Sequence, residues 1–243
     1  MLFAASGLIG RPIAASDGRI GTVKDFLLDS RRRVRWMVVD TGQWLPGRKV
    51  LIHPSAVAPI RLPPRPALPM LNFAGELAVS VNLTTRQVEA SPEARQDEAV
   101  TVKLEQRLFD HYGWDPAWSA PEFGGEAGVA TDGDRRLSSA AAIKGFAVHG
   151  VDGKVGSVDN VLIDDIRWIV RYLIVATRGW LRGKLVQIPL RPATDIDWQA
   201  RSVTLDIPRE RVVSAPVWDP LVMVDEISEE RLRGHFGSPQ DGA

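Results

Sequence analysis

The side chains with the most chemistry to offer are four histidines, a run of arginines and two matched tryptophans. His111 and His235 share a setting, His111-Tyr112-Gly113 and His235-Phe236-Gly237, at the ends of two helical patterns. Together they could bind a metal if the two segments faced each other. No ligand-spaced cluster supports that, and a histidine close to the last carbonyls of its own helix is the simpler reading. His53 and His149 stand alone. With no cysteine there is no thiolate nucleophile, disulfide or thiolate metal site. Acids are plentiful but form no recognisable acid/base or nucleophile arrangement, and Asp29 and Asp164 read as residues that close turns. The glycine-rich stretches lack the spacing of a phosphate loop. No catalytic residue, cofactor or metal site is therefore expected, and the chain is not expected to be an enzyme.

Binding chemistry is better represented. Arg31, Arg32, Arg33 and Arg35 form the densest basic run and could neutralise phosphates. A solvated turn between strands accounts for them equally simply. The chain carries 30 basic and 30 acidic side chains, so no overall field steers it to nucleic acid, which is not expected as a partner. Trp44 and Trp180 each precede a glycine-basic pair, Gly47-Arg48 and Gly183-Lys184. Exposed, they would anchor a protein partner; buried, they would close the end of a sheet.

These residues belong to a duplication. Residues 17–52 and 152–188 align so that Asp17-Gly18 falls on Asp152-Gly153, Gly21 on Gly156 and Leu28-Asp29 on Ile163-Asp164. After a one-residue insertion, Arg35-Trp36 falls on Arg171-Tyr172 and Trp44 on Trp180.

The elements that must position them follow from periodicity. Asp-Gly before an apolar strand predicts a two-residue hairpin, with positive φ at Gly18 and Gly153. Gly21 and Gly156, inside the returning strands, predict a bulge or a close backbone approach. Val34 to Asp40 and its counterpart are apolar on both faces. Central strands with Trp36, Val38, Tyr172 and Ile174 in the core are expected. Thr84 to Gln87 has the form of a capping box, and Pro208 suits the first turn of the matching helix. Leu104, Leu108 and Tyr112 make one apolar stripe, repeated by Leu232 and Phe236. Ser228 reads as the N-cap of the second closing helix. Pro59 to Pro69 predicts an extended connector.

At 243 residues the chain has room for two small domains. The expected boundaries are 1–118, a flexible linker of small and polar residues at 119–142, and 143–243. No apolar run approaches the roughly 20 residues of a spanning helix, and the start lacks a basic export signal. A cytoplasmic protein with no transmembrane segment is expected; peripheral membrane contact is left open.

The ordered set Gly10-Arg-Pro, Asp17-Gly18, Gly21-x-Val23, Leu27-Leu28-Asp29, Val34-Arg35 recurs as Asp152-Gly153, Gly156-x-Val158, Leu162-Ile163-Asp164, Val170-Arg171. It resembles the PRC-barrel family, which includes the cytoplasmic domain of the photosynthetic reaction-centre H subunit and the C-terminal domain of ribosome maturation factors. The resemblance implies a mainly β protein: two small antiparallel barrels in tandem, each followed by a short closing helix. It also implies contact with other macromolecules, and no catalytic residue set. The chain departs from the H subunit in having no N-terminal membrane helix. It departs from the maturation factors in pairing the domain with a second copy of itself. The expected function is a non-catalytic protein-interaction or assembly module, acting at a membrane-associated complex or in a stress response. The alternatives are an RNA- or ribosome-associated assembly factor and, more weakly, a small-ligand or metal-binding protein. The two halves are expected to dock about a pseudo-twofold axis.

Overall fold

A computed structural model of the chain describes residues 2–60, 78–93, 99–114, 137–177, 183–191, 194–219 and 226–237. The expected connector beyond residue 60 and the expected linker up to residue 136 lie outside the described residues.

The chain divides into two compact units, and their limits differ from the expected ones. One is Leu8–Ser139; the other is Met1–Gly7 together with Ala140–Ala243. The strands are β1 (Leu2–Ala4), β2 (Pro12–Ala15), β3 (Gly18–Leu28), β4 (Val34–Asp40), β5 (Val50–Ile52), β6 (Val79–Ser80), β7 (Ser138–Ser139), β8 (Ala147–Gly150), β9 (Gly153–Asp164), β10 (Val170–Thr177), β11 (Leu185–Pro189), β12 (Asp195–Asp197) and β13 (Ser202–Thr204). The helices are α1 (Ala5–Leu8), α2 (Thr85–Glu89), α3 (Val102–Tyr112), α4 (Arg209–Val213) and α5 (Glu226–Phe236).

In the Leu8–Ser139 unit the sheet runs β5-β4-β3-β2-β6, with β7 added to β3. In the other unit it runs β11-β10-β9-β8-β13-β12, with β1 added to β9. The protein is thus mainly β, as expected, but two features of the expected barrels are corrected. Among the described residues each sheet is an open path, not a closed ring. Nor is either purely antiparallel, since β6 lies parallel to β2 and β13 parallel to β8. β2 and β6, like β8 and β13, lie far apart in the chain, and only strands that no tight hairpin joins directly can run in the same direction as neighbours.

The central strands are where the sequence places them. Trp36, Met37, Val39, Leu173, Ile174 and Val175 are all buried, so β4 and β10 contribute both faces to the core. Val38 and Tyr172 are buried too.

The hairpins need a correction by one residue. Ala15 pairs with Gly18 and Gly150 with Gly153, so the turn residues are Ser16-Asp17 and Val151-Asp152. Gly153 has φ +136°, but Gly18 is not among the positive-φ residues. The aspartates are held by the following helices. Thr85 donates its amide to Asp17 Oδ1 at 2.7 Å and its hydroxyl to Oδ2 at 3.0 Å. The Arg209 amide donates to Asp152 Oδ1 at 2.6 Å. The bond from the Thr85 amide is the main reason the Asp17 carboxyl sits below its usual range. Each hairpin aspartate therefore satisfies an amide at a helix start that has no partner within the helix.

Gly21 and Gly156 are places of close approach, as expected. A Cβ at Gly21 would lie 2.1 Å from the Asp40 carbonyl oxygen, and one at Gly156 would lie 2.0 Å from that of Ala176. The helix ends match in part. Thr84 forms the full capping box with Gln87, and Gly113 takes the left-handed C-cap. Pro208 is the N-cap of α4. Ser228 is not a cap, since α5 begins at Glu226.

Gly21→Ala and Gly156→Ala are each expected to cost about 2–3 kcal/mol, because backbone must move to admit the methyl. Gly18→Ala is expected to cost less than about 1 kcal/mol, its nearest neighbour being the Thr85 methyl at 3.3 Å. Urea unfolding of the three variants gives the comparison directly.

Candidate functional site

The alternation of β4 turns Trp36 to one face of the sheet, and the apolar stripe of α3 packs on that face. Trp36, Val38, Leu51, Leu104, Leu108 and Phe109 form one buried cluster. An indole brings an N–H into this core, and it needs an acceptor. Glu105 supplies it: Trp36 Nε1 donates to Glu105 Oε1 at 2.7 Å. The carboxylate is 4% exposed. Arg35 Nη2 lies 3.8 Å from the same oxygen.

The second unit repeats the arrangement. Tyr172 donates its hydroxyl to Glu229 Oε1 at 3.3 Å, and Arg171 Nη1 lies 3.2 Å from that oxygen. Burial, with the Glu229 charge adding, pushes the Tyr172 hydroxyl up to about 12. Glu105 and Glu229 escape a search for catalytic patterns because each has only one acid to show. The signal was present in the matched helix ends: aligning His111-Tyr112-Gly113 with His235-Phe236-Gly237 places Glu105 on Glu229.

The two histidines also repeat, but not as expected. His111 Nε2 lies 2.8 Å from the Gln87 carbonyl oxygen and His235 Nε2 lies 2.7 Å from that of Arg211. Each therefore carries its proton on Nε2 and joins its closing helix to the short helix before it, not to its own last turn. Among the described residues no group of three His, Cys, Asp or Glu side chains could hold a metal ion.

His53 and Ser55 have the residue types of a base and a nucleophile, but their geometry is that of a cap. The Ser55 amide donates to His53 Nδ1 at 3.3 Å, and the hydroxyl lies 2.9 Å from it. The imidazole is packed against Trp36, Phe109 and Trp114. Burial, helped by the nearby Arg35 charge, lowers its pKa to about 3. So weak a base takes up little proton near neutral pH.

Of the interaction candidates, Trp44 is 37% exposed. Its loop is fixed at both ends. Thr41 donates its hydroxyl to the Leu45 carbonyl at 3.1 Å, and Arg48 donates to the carbonyls of Glu89 at 2.9 Å and Ser91 at 2.7 Å. Trp180 lies outside the described residues. Arg31, Arg32 and Arg33 form a turn closed by Asp29, whose Oδ1 accepts the amides of Arg31 and Arg33, each at 2.9 Å. Arg33 Nε lies 3.4 Å from Asp29 Oδ2, and burial lowers its pKa. Asp164 closes the matching turn, accepting the amides of Ile166 and Arg167. The tip of that turn carries Ile166, 75% exposed.

The family model of the PRC-barrel domain matches residues 1–61 and 136–212, more than half of the chain. No curated protein matches the chain significantly.

Glu105→Leu is expected to lower stability by about 1–3 kcal/mol, by leaving the Trp36 N–H without a partner. Glu105→Gln keeps an acceptor oxygen and is expected to lose less; equilibrium urea unfolding separates the two.

His53 gives a pH dependence. The unfolded imidazole takes up a proton near its ordinary value of 6.5, whereas the folded one stays neutral down to about 3. Its contribution is complete above pH 6.5 and is lost as pH falls, by about 1.4 kcal/mol per unit within that window. His53→Gln is expected to remove that part of the slope when stability is measured at several pH values.

Proposed function

Because the chain belongs to the PRC-barrel family, we propose that it is a non-catalytic protein-interaction or assembly module. The observation that carries this reading is Trp44. A large aromatic ring is partly exposed on a loop held by Thr41 and Arg48, so little order is lost when it enters a partner's pocket. The matched polar contacts support the same reading. Glu105 and Glu229 hold the closing helices to their sheets, and His111 and His235 join those helices to the short helices before them, as suits a rigid support. The partner is a protein inside the cell. It belongs to a membrane-associated complex or a stress-response assembly. No helix among the described residues is long and apolar enough to cross a membrane.

The test is photo-crosslinking in the native host from a reactive group placed at Gln43, beside Trp44. One recurring protein adduct is expected. Trp44→Ala is expected to reduce it about tenfold or more, with the fold retained at a stability cost of about 1–2 kcal/mol. Adducts that are mainly RNA, with binding that weakens steeply with salt, would favour a ribosome-associated factor instead. An adduct pattern indifferent to Trp44→Ala would remove Trp44 from the reading.

A further inference from the structure

β1 is three residues long, yet its seat on β9 is a built one. Leu2 pairs with Asp164, Phe3 with Ile163 and Ala4 with Leu162. Phe3 is 3% exposed and meets Trp168 edge-on, with ring centroids 5.7 Å apart. Trp168 holds a left-handed backbone, φ 51°, which a bulky residue adopts only when its surroundings fix it. Just beyond β1, Ser6 donates its amide to Asn160 Oδ1 at 3.3 Å, and Asn160 Nδ2 donates to the Ser6 hydroxyl.

The segment that fills this seat leaves the unit at once, since Gly7 and Leu8 belong to different units. The second copy does the same in reverse. Ser138–Ser139, which leads into it, pairs with β3 of the Leu8–Ser139 unit. The registers correspond: Ser139 opposite Leu27 matches Ala4 opposite Leu162, and Ser138 opposite Leu28 matches Phe3 opposite Ile163. There too a side chain beside the strand completes the seat, the Ser139 hydroxyl donating to Asp25 Oδ2. Each copy is thus led by a strand that completes the other copy's sheet.

We propose that the β9 edge at Leu162–Asp164 also accepts Leu2–Ala4 from a second copy of this chain, so that two molecules trade N-terminal strands. The contacts described for β1 are made to residues 160–168, and a second chain can supply the same strand without altering one of them. Exchange of an identical element is a low-cost route to a dimer, because the exchanged and unexchanged forms share their contacts. The in-chain strand competes through its effective concentration, at most of the order of 1 mM, since the Leu8–Ser139 unit lies between β1 and its seat in sequence. Exchange should accordingly appear when chains refold at comparable concentration. This partner is separate from whatever Trp44 engages.

The native chain has no cysteine, so a disulfide can report the pairing in the full chain. Ala4→Cys with Leu162→Cys, and separately Phe3→Cys with Ile163→Cys, sample both kinds of antiparallel pair. Each double variant is refolded and oxidised at about 1 μM and about 1 mM, on either side of the in-chain competition. A disulfide-linked dimer, forming a large share at the higher concentration and at least about tenfold less at the lower, is the expected result. A disulfide confined to single chains at both concentrations overturns the proposal, as does a folded variant that forms none. If the cysteines prevent folding, the native chain refolded at about 1 mM decides by sedimentation. A dimer that persists on dilution and is lost in Phe3→Asp supports exchange. A monomer, or a dimer indifferent to Phe3→Asp, overturns it.

Discussion

The backbone contact at Gly21 and Gly156 is the constraint on which both sheets depend. A strand has two edges, yet β3 and β9 each serve three partners. In β9, β10 occupies one edge along most of its length. The other edge is shared, with β8 on Gly153–Ser157 and β1 on Leu162–Asp164. β3 divides its free edge in the same way between β2 and β7. The gap between the two partners falls at Asp25 and Asn160, and each side chain bonds the amide of the next residue as well as a serine beyond the gap. Glycine near the start of the long strand lets the neighbouring backbone come within a distance that no side chain would permit.

Above this frame the two copies use the same polar ties with different residues. An indole donates in one and a phenol in the other, but both reach a closing-helix glutamate that an arginine of the central strand also approaches. The first is the more buried. Trp36 and Glu105 are enclosed by an aromatic group including His53, Phe109 and Trp114, whereas the Glu229 side chain is 22% exposed. An acid that accepts a buried N–H is hard to remove without an acceptor in its place.

What the sequence discloses depends on the range of the interaction. The central strands, the turn-closing aspartates and the Thr84 cap were legible because they rest on periodicity or on contacts within a few residues. The hairpin turn lies one residue earlier than Asp-Gly implies. Asp-Gly carries the statistics of a turn, while the partner of Asp17 is Thr85, far along the chain. The parallel strands β6 and β13 alternate like any others, and direction leaves no trace in alternation. Leu2–Ala4 was unreadable as part of the second unit, because Ser138–Ser139 is the segment that precedes that copy in sequence.

That displacement has a consequence for synthesis on the ribosome. β7 follows β3, so the Leu8–Ser139 unit can be completed as soon as residue 139 is free. β1 is made before the other described strands, but its seat on β9 spans Leu162–Asp164. At about 5–20 residues per second, Leu2 and Phe3 wait some ~10–30 s for their acceptor. Throughout that interval two of the most apolar residues in the chain stay on the nascent protein with nowhere of their own to go. The second unit is the last to finish, and it takes in its oldest strand partway through its own synthesis.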